Sequence, residues 1–184
     1  EGEMLGIVGR SGAGKSTLIT FMPAQFLRYP KAQVYMFDKG RSARITTLLM
    51  GGNHYDLGEN KNLCFQPLAD IDNESERAWA AEWLTEILLQ ENVTITPKIK
   101  NELWESLSNL STSPARQRTI TGLVTLTQNK EIRDALQIYT IEGSYGHLLD
   151  ATEDSLSYGR WQCFEMDHLM TYTPGAVAPV LSYL

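Results

Sequence analysis

Gly9-Arg10-Ser11-Gly12-Ala13-Gly14-Lys15-Ser16 matches the pattern G-x-x-x-x-G-K-[ST] in full. Each residue type has a physical reason. Glycines let the backbone turn tightly and present successive N–H groups to phosphate oxygens. A helix starting at the end of the loop adds the positive end of its dipole. Lys15 is placed to reach the β- and γ-phosphates, and the Ser16 hydroxyl to complete a Mg²⁺ shell. The sequence therefore predicts binding of ATP with Mg²⁺. The expected contacts are Gly9, Arg10, Ser11, Gly12, Ala13, Gly14, Lys15, Ser16 and Thr17, with Ser16 as the metal ligand.

The flanks fit such a loop. Met4–Val8 is a short apolar run that reads as a buried strand, and Ser16–Phe26 reads as a helix. Gln33–Phe37 is a second strand-like run closed by Asp38, and 51–65 alternates β-like pieces with Gly and Asn turns. Strand, helix, strand with glycine punctuation implies a parallel α/β sheet. After Pro67 the pattern changes. Asn73 with Glu76 resembles a capping box, and Thr96-Pro97 is an N-cap followed by proline at the first helical position. Ser113-Pro114 repeats that start signal. Trp79, Trp83 and Ile87, then Ile99, Leu103, Trp104, Leu107 and Leu110, and then Ile132, Leu136 and Tyr139 keep helical spacing, so the tryptophans read as core packing. β character returns at Gly159–Phe164, and Asp167–Met170 begins a helix. The expected organisation is the first part of an α/β core at 1–67, an all-helical insertion at 68–142, and a return to the core at 143–184.

Composition sets the wider limits. The 184 residues carry 16 basic and 22 acidic side chains, a net of −6, and 42% are hydrophobic. That belongs to a globular protein with a sizeable core. The net charge argues against a dedicated DNA-binding module. The acidity is local: residues 70–105 hold nine acids and three bases, whereas residues 1–66 hold eight bases and five acids. Cys64 and Cys163 read as small buried apolar residues in a reducing compartment. His54, His147 and His168 lack metal-ligand spacing. The uncharged stretch Leu169–Leu184 is broken by Pro174, Gly175 and Pro179 and is too short to span a bilayer. The chain opens with Glu1 and stops at Leu184 inside an apolar pattern, and it reads as a piece of a longer protein.

A phosphate-binding loop alone does not complete hydrolysis, which also needs an acid at the tip of a neighbouring strand. Asp38 is the candidate catalytic partner of Lys15; its alternatives are to cap a turn or to pair with Lys39 or Arg41. Glu165 and Asp167 after the Trp161–Phe164 run are weaker candidates. Neither site gives an apolar run ending in Asp-Glu, and the acidic pair is expected beyond Leu184. Arg28, Lys31, Lys39, Arg41 and Arg44 form a basic cluster around the second strand, either phosphate-facing or simply solvated.

Two families are resembled. Gly2–Leu18, Gln66 placed as a Q-loop glutamine, and Leu156-Ser157-Tyr158-Gly159-Arg160-Trp161-Gln162 as a signature-like stretch are similar to an ABC-type transporter ATPase, but that stretch lies 141 residues after Lys15, a poor spacing for the family. A second resemblance runs nearly end to end. Its blocks are Gly9–Thr17, Ala24–Pro30, Phe37-Asp38-Lys39-Gly40-Arg41-Ser42-Ala43-Arg44, His54–Gly58, Phe65–Ala69, Arg77–Leu84, Tyr145–Asp150 and Phe164-Glu165-Met166. These resemble the TrbE/CagE-type ATPases of conjugation and type IV secretion.

The second resemblance implies a RecA-like P-loop NTPase core, incomplete at both ends, with an all-helical insertion. It implies an ATP-hydrolysing motor that energises conjugal DNA transfer, type IV secretion and pilus assembly. The partners would be other secretion components and further copies of the chain, with a hexamer as one expected state. Peripheral association with the cytoplasmic face of the bacterial inner membrane also follows, while direct DNA contact stays open. The alternatives are an ABC-type ATPase domain and a nucleotide-binding interaction module without turnover.

Overall fold

The structure is a computed structural model that describes residues 4–57, 63–157, 159–172 and 174–184. The chain forms two compact units. The first comprises residues 1–57 and 157–168, the second 58–156 and 169–184.

The first unit is the α/β one. Helix α1 (Lys15–Phe26) precedes strand β1 (Val34–Asp38), helix α2 (Arg44–Leu49) and strand β2 (Asn53–Asp56). Strand β3 (Trp161–Glu165) lies between the other two in the order β1-β3-β2, and both pairings are parallel. The parallel sheet expected from sequence is present, with Gly159–Phe164 supplying its central strand. All five residues of β3 are buried, as a central strand with no free edge requires. Phe164 stacks between Phe37 and Tyr55, each with ring centroids 5.3 Å away, so one aromatic row crosses all three strands. The Trp161 indole donates to the Thr47 hydroxyl at 3.0 Å, which ties β3 to α2. At Gly52 a Cβ would lie 2.7 Å from the Trp161 carbonyl oxygen, so this close approach needs glycine.

Met4–Val8 departs from expectation. It is not a strand: Met4 and Val8 are almost fully exposed, and among the described residues the run has no ladder partner. Apolar character marks a strand only where a neighbouring strand can satisfy its backbone. α1 begins at Lys15 and runs to Phe26 as expected, and Pro23 lies within it. Pro23 has no N–H for the Ile19 carbonyl, one helical bond forgone.

The second unit is built on helices: α3 (Glu74–Gln90), α4 (Pro97–Ser111), α5 (Ile120–Leu126), α6 (Lys130–Leu136), α7 (Gly146–Leu149) and α9 (Val177–Tyr183). Helix α8 (Asp167–Tyr172) spans the boundary between the units. Between residues 68 and 142 the regular elements are all helical. Thr96 caps α4 by accepting from the Ile99 N–H, with Pro97 at the first position. Asn73 caps α3 by accepting from the Ser75 N–H at 3.0 Å. The box with Glu76 does not close, because the Asn73 N–H donates to the Asp70 carbonyl instead. Ser113-Pro114 starts a single 3₁₀ turn (Ala115–Gln117); the following helix starts at its own cap, where Thr119 accepts from the Gly122 N–H.

The core of this unit gathers Leu84, Ile87, Leu103, Leu107, Leu123, Leu136 and Tyr139, all 2% exposed or less. The Trp83 indole donates to the Pro179 carbonyl at 3.0 Å, and Trp79 stacks on Trp83. Trp104 differs from the expected core role, with 38% of its surface exposed. Asp150 is 5% exposed. Its carboxylate accepts from the Thr121 N–H at 2.9 Å, the Thr121 hydroxyl at 2.5 Å and the Ile141 N–H at 2.6 Å. Asp150→Ala leaves those donors buried without partners, and we expect a loss of about 2–3 kcal/mol, measured as a shift in urea midpoint.

The cysteines diverge. Cys163 is fully buried in β3, and burial pushes its thiol up to about 11. Cys64 is half-buried, not core, with its Sγ 3.7 Å from the Glu153 carbonyl. A thiol-exchange reagent at pH 8 is therefore expected to label Cys64 rapidly, and Cys163 only after denaturation. Equal native rates would contradict this placement.

Candidate phosphate-binding loop and strand-end carboxylates

The loop from Gly9 to Gly14 is built by two left-handed glycines, Gly12 at φ 77° and Gly14 at φ 79°. An L side chain is strained at either position. A turn closes from the Ala13 N–H to the Arg10 carbonyl, and Gly14 then serves as the N-cap of α1. Glycine offers no capping oxygen, and no acidic residue stands in the first turn. The opening N–H groups of a twelve-residue helix thus lack a side-chain acceptor, and its dipole meets no local counter-charge. The Lys15 ammonium donates back to the Gly9 carbonyl at 2.9 Å and to the Arg10 carbonyl at 2.8 Å. A tight loop, uncapped helix N–H groups and an ammonium folded over the loop together make a donor set suited to a phosphate chain.

At the carboxyl ends of the strands stand three acids in one register row: Asp38 beside Glu165, and Asp56 beside Glu165. Each follows an aromatic residue, in the pairs Phe37-Asp38, Tyr55-Asp56 and Phe164-Glu165. Strand alternation sends the rings to one face and the acids to the other.

The Asp38 carboxylate accepts from the Lys39 N–H at 3.0 Å, the Ser42 hydroxyl at 2.7 Å and the Ala43 N–H at 2.7 Å. That is the geometry of a turn cap leading into α2. Of roughly four lone-pair sites on a carboxylate, about one remains. Glu165 is 1% exposed and accepts from the Gly40 N–H at 3.0 Å, the Arg41 N–H at 2.5 Å and the Asp167 N–H at 2.9 Å. Gly40 at φ 96° and Arg41 at φ 58° are consecutive left-handed residues, which turns both N–H groups toward the buried carboxylate. Asp56 pairs with the Arg41 guanidinium at 3.0 Å. Burial, aided by the nearby Arg44 charge, holds the His54 imidazole below its ordinary range.

The expected basic cluster therefore divides. Lys39 and Arg41 lie among these acids, with the Lys39 ammonium 3.8 Å from Asp167, while Arg28 and Lys31 lie in the loop after α1. Sequence alone does not single out Asp56. The repeated aromatic–acid pair closing each strand is the signal that could find it.

The features shared with ABC-type ATPases occupy other roles. Gln66 is 6% exposed, and its amide donates to the Ala115 carbonyl at 2.6 Å inside the helical unit. Trp161 and Gln162 of the signature-like stretch are interior residues of β3. Tyr158 of that stretch, and Gly58 of the other resemblance, lie outside the described residues. Among the described residues no group of three or more His, Cys, Asp or Glu side chains is arranged to hold a metal ion. No described helix is long and apolar enough to cross a membrane.

Comparison with known proteins agrees with this P-loop geometry. The profile of a family described as ABC transporter matches residues 1–174. The chain belongs to that P-loop ATPase family. Its individual relatives are of the conjugal transfer kind. It is 41% identical over 183 residues to a probable conjugal transfer protein TrbE of Sinorhizobium fredii (strain NBRC 101917 / NGR234), covering 97% of this chain and 27% of the relative. It is 42% identical over 185 residues to the conjugal transfer protein TrbE of Rhizobium radiobacter, covering 97% and 22%. The resemblance to TrbE/CagE-type ATPases holds, and the chain spans about a quarter of the length of these curated relatives. The VirB4 structure from Thermoanaerobacter pseudethanolicus superposes with a TM-score of 0.68 at 14% identity, over 95% of this chain and 54% of that one. That likeness supports the α/β P-loop fold with helical additions.

Proposed function

We propose that this chain is the nucleotide-binding part of a motor ATPase that energises conjugal DNA transfer and type IV secretion, pilus assembly included. The observation that carries the reading is a complete phosphate-binding loop at an uncapped helix N-terminus, in a chain about two-fifths identical to TrbE proteins. The backbone N–H groups of Ser11–Lys15 cradle the β-phosphate. Lys15 exchanges its two loop carbonyls for phosphate oxygens and offsets charge that develops on them. The Ser16 hydroxyl ligates Mg²⁺, and the ion bridges β- and γ-oxygens when bound. Asp38 caps its turn and offers its remaining lone pair to a water or to the metal shell. The core around residues 1–67 and 143–184 carries the helical stretch 68–142 as its insertion. In the full-length protein we place it in an oligomer, with a hexamer as one candidate, peripherally at the cytoplasmic face of the inner membrane beside other secretion components.

The matched family profile favours a second reading, an ABC-type transporter domain. The buried structural use of Gln66 and the strand position of Trp161 and Gln162 weigh against it. The test is ATP turnover by full-length protein with Mg²⁺ and with excess EDTA. Turnover that requires the metal supports the motor reading. Tight nucleotide binding without turnover in either condition would favour a non-enzymatic module.

A further inference from the structure

Trp104 breaks the pattern of its helix. Leu103, Leu107 and Leu110 on α4 are 1% exposed or less, whereas Trp104 leaves 38% of its surface uncovered. The ring is held in place: the Arg77 guanidinium of α3 sits 5.3 Å from its centroid and also donates to the Ser111 hydroxyl at 3.0 Å. Trp104 borders a groove of about 410 Å³ between α3 and α4. From α3 the groove receives Ala81 and the carboxylates of Glu82 and Glu86; from α4 it receives Lys100, Leu103 and Trp104. Glu82 and Glu86 are exposed. They belong to the segment 70–105, which holds nine acids and three bases. One of those bases, Arg77, is already engaged on the Trp104 ring.

A rigid, partly exposed tryptophan beside an apolar recess is the physical form of a binding hot spot. Acids at its border select the charge of what binds and speed its approach. We propose that the α3–α4 groove docks a basic, apolar-anchored segment of a partner protein. An aliphatic or aromatic side chain of that segment enters beside Leu103 and Trp104, while its Lys or Arg residues face Glu82 and Glu86. The site lies within the helical unit and does not rest on the ATPase reading.

The test uses the full-length protein and a fluorescently labelled synthetic helix of Lys and Leu, with a Glu and Leu helix of equal length as control. Anisotropy titration is expected to show binding of the Lys/Leu helix that weakens as salt rises, and none of the control. Trp104→Ala should weaken binding by at least about tenfold. The double variant Glu82→Lys with Glu86→Lys changes only exposed positions, so it tests the idea even if Trp104→Ala folds poorly; it should weaken binding to a similar degree. Unchanged affinity in either folded variant overturns the proposal, as does equal binding of the two helices. Self-association of the full-length protein that Trp104→Ala abolishes would assign the groove to a second copy, and would overturn it too.

Discussion

Lys15→Ala in the full-length protein is expected to lower ATP turnover by roughly 10²–10³-fold, with the melting temperature unchanged. The asymmetry follows from where the side chain is engaged. The Lys15 ammonium bonds to two carbonyls of its own loop, Gly9 and Arg10, and so contributes little beyond that loop. Turned toward a phosphate chain, the same ammonium is a fixed positive charge at the point where negative charge develops in the reaction. Deleting it removes transition-state stabilisation, and it leaves the α1 start and the left-handed glycines as they are. Lys15→Arg should rescue little, because a planar guanidinium does not replace a compact ammonium in so tight a loop. ATP turnover at saturating substrate, read beside a thermal melt, checks both halves.

Glu165→Ala is expected to be the most destabilising single change in the α/β unit, at about 3 kcal/mol. The carboxylate is 1% exposed, and three backbone N–H groups converge on it, from Gly40, Arg41 and Asp167. Without it, two of those donors sit on consecutive left-handed residues with no acceptor, so the turn between β1 and α2 loses its reason to hold that shape. Glu165→Gln should recover part of the loss, since its carbonyl oxygen accepts from some of the same donors. Urea unfolding gives the stability, and amide exchange at Gly40 and Arg41 gives the local effect. A Glu165→Ala protein as stable as the wild type, with those amides still protected, would contradict the anchoring role.

These two residues also show how unevenly a sequence can be read. Lys15 belongs to a contiguous motif whose physics is local, and the loop, the start of α1 and the caps at Asn73 and Thr96 are all legible in the same way. Glu165 works through register. Its position beside Asp38 and Asp56 exists only once β3 has paired with both neighbours, across more than a hundred intervening residues. Met4–Val8 misleads for the complementary reason. Its apolar character is real, but pairing is a property of the sheet, and no strand among the described residues pairs with it. Trp104 keeps the helical spacing of a core residue, and spacing alone does not tell the side facing the core from the border of a groove.

The family profile and the individual relatives point to the same P-loop chemistry and differ on its use. What separates them is whether the loop in this chain drives conjugation. The direct measurement is transfer frequency from donor cells whose only copy of the full-length gene carries Lys15→Ala, at wild-type protein levels. The account predicts that transfer is lost while the protein persists. Normal transfer by those donors would contradict it.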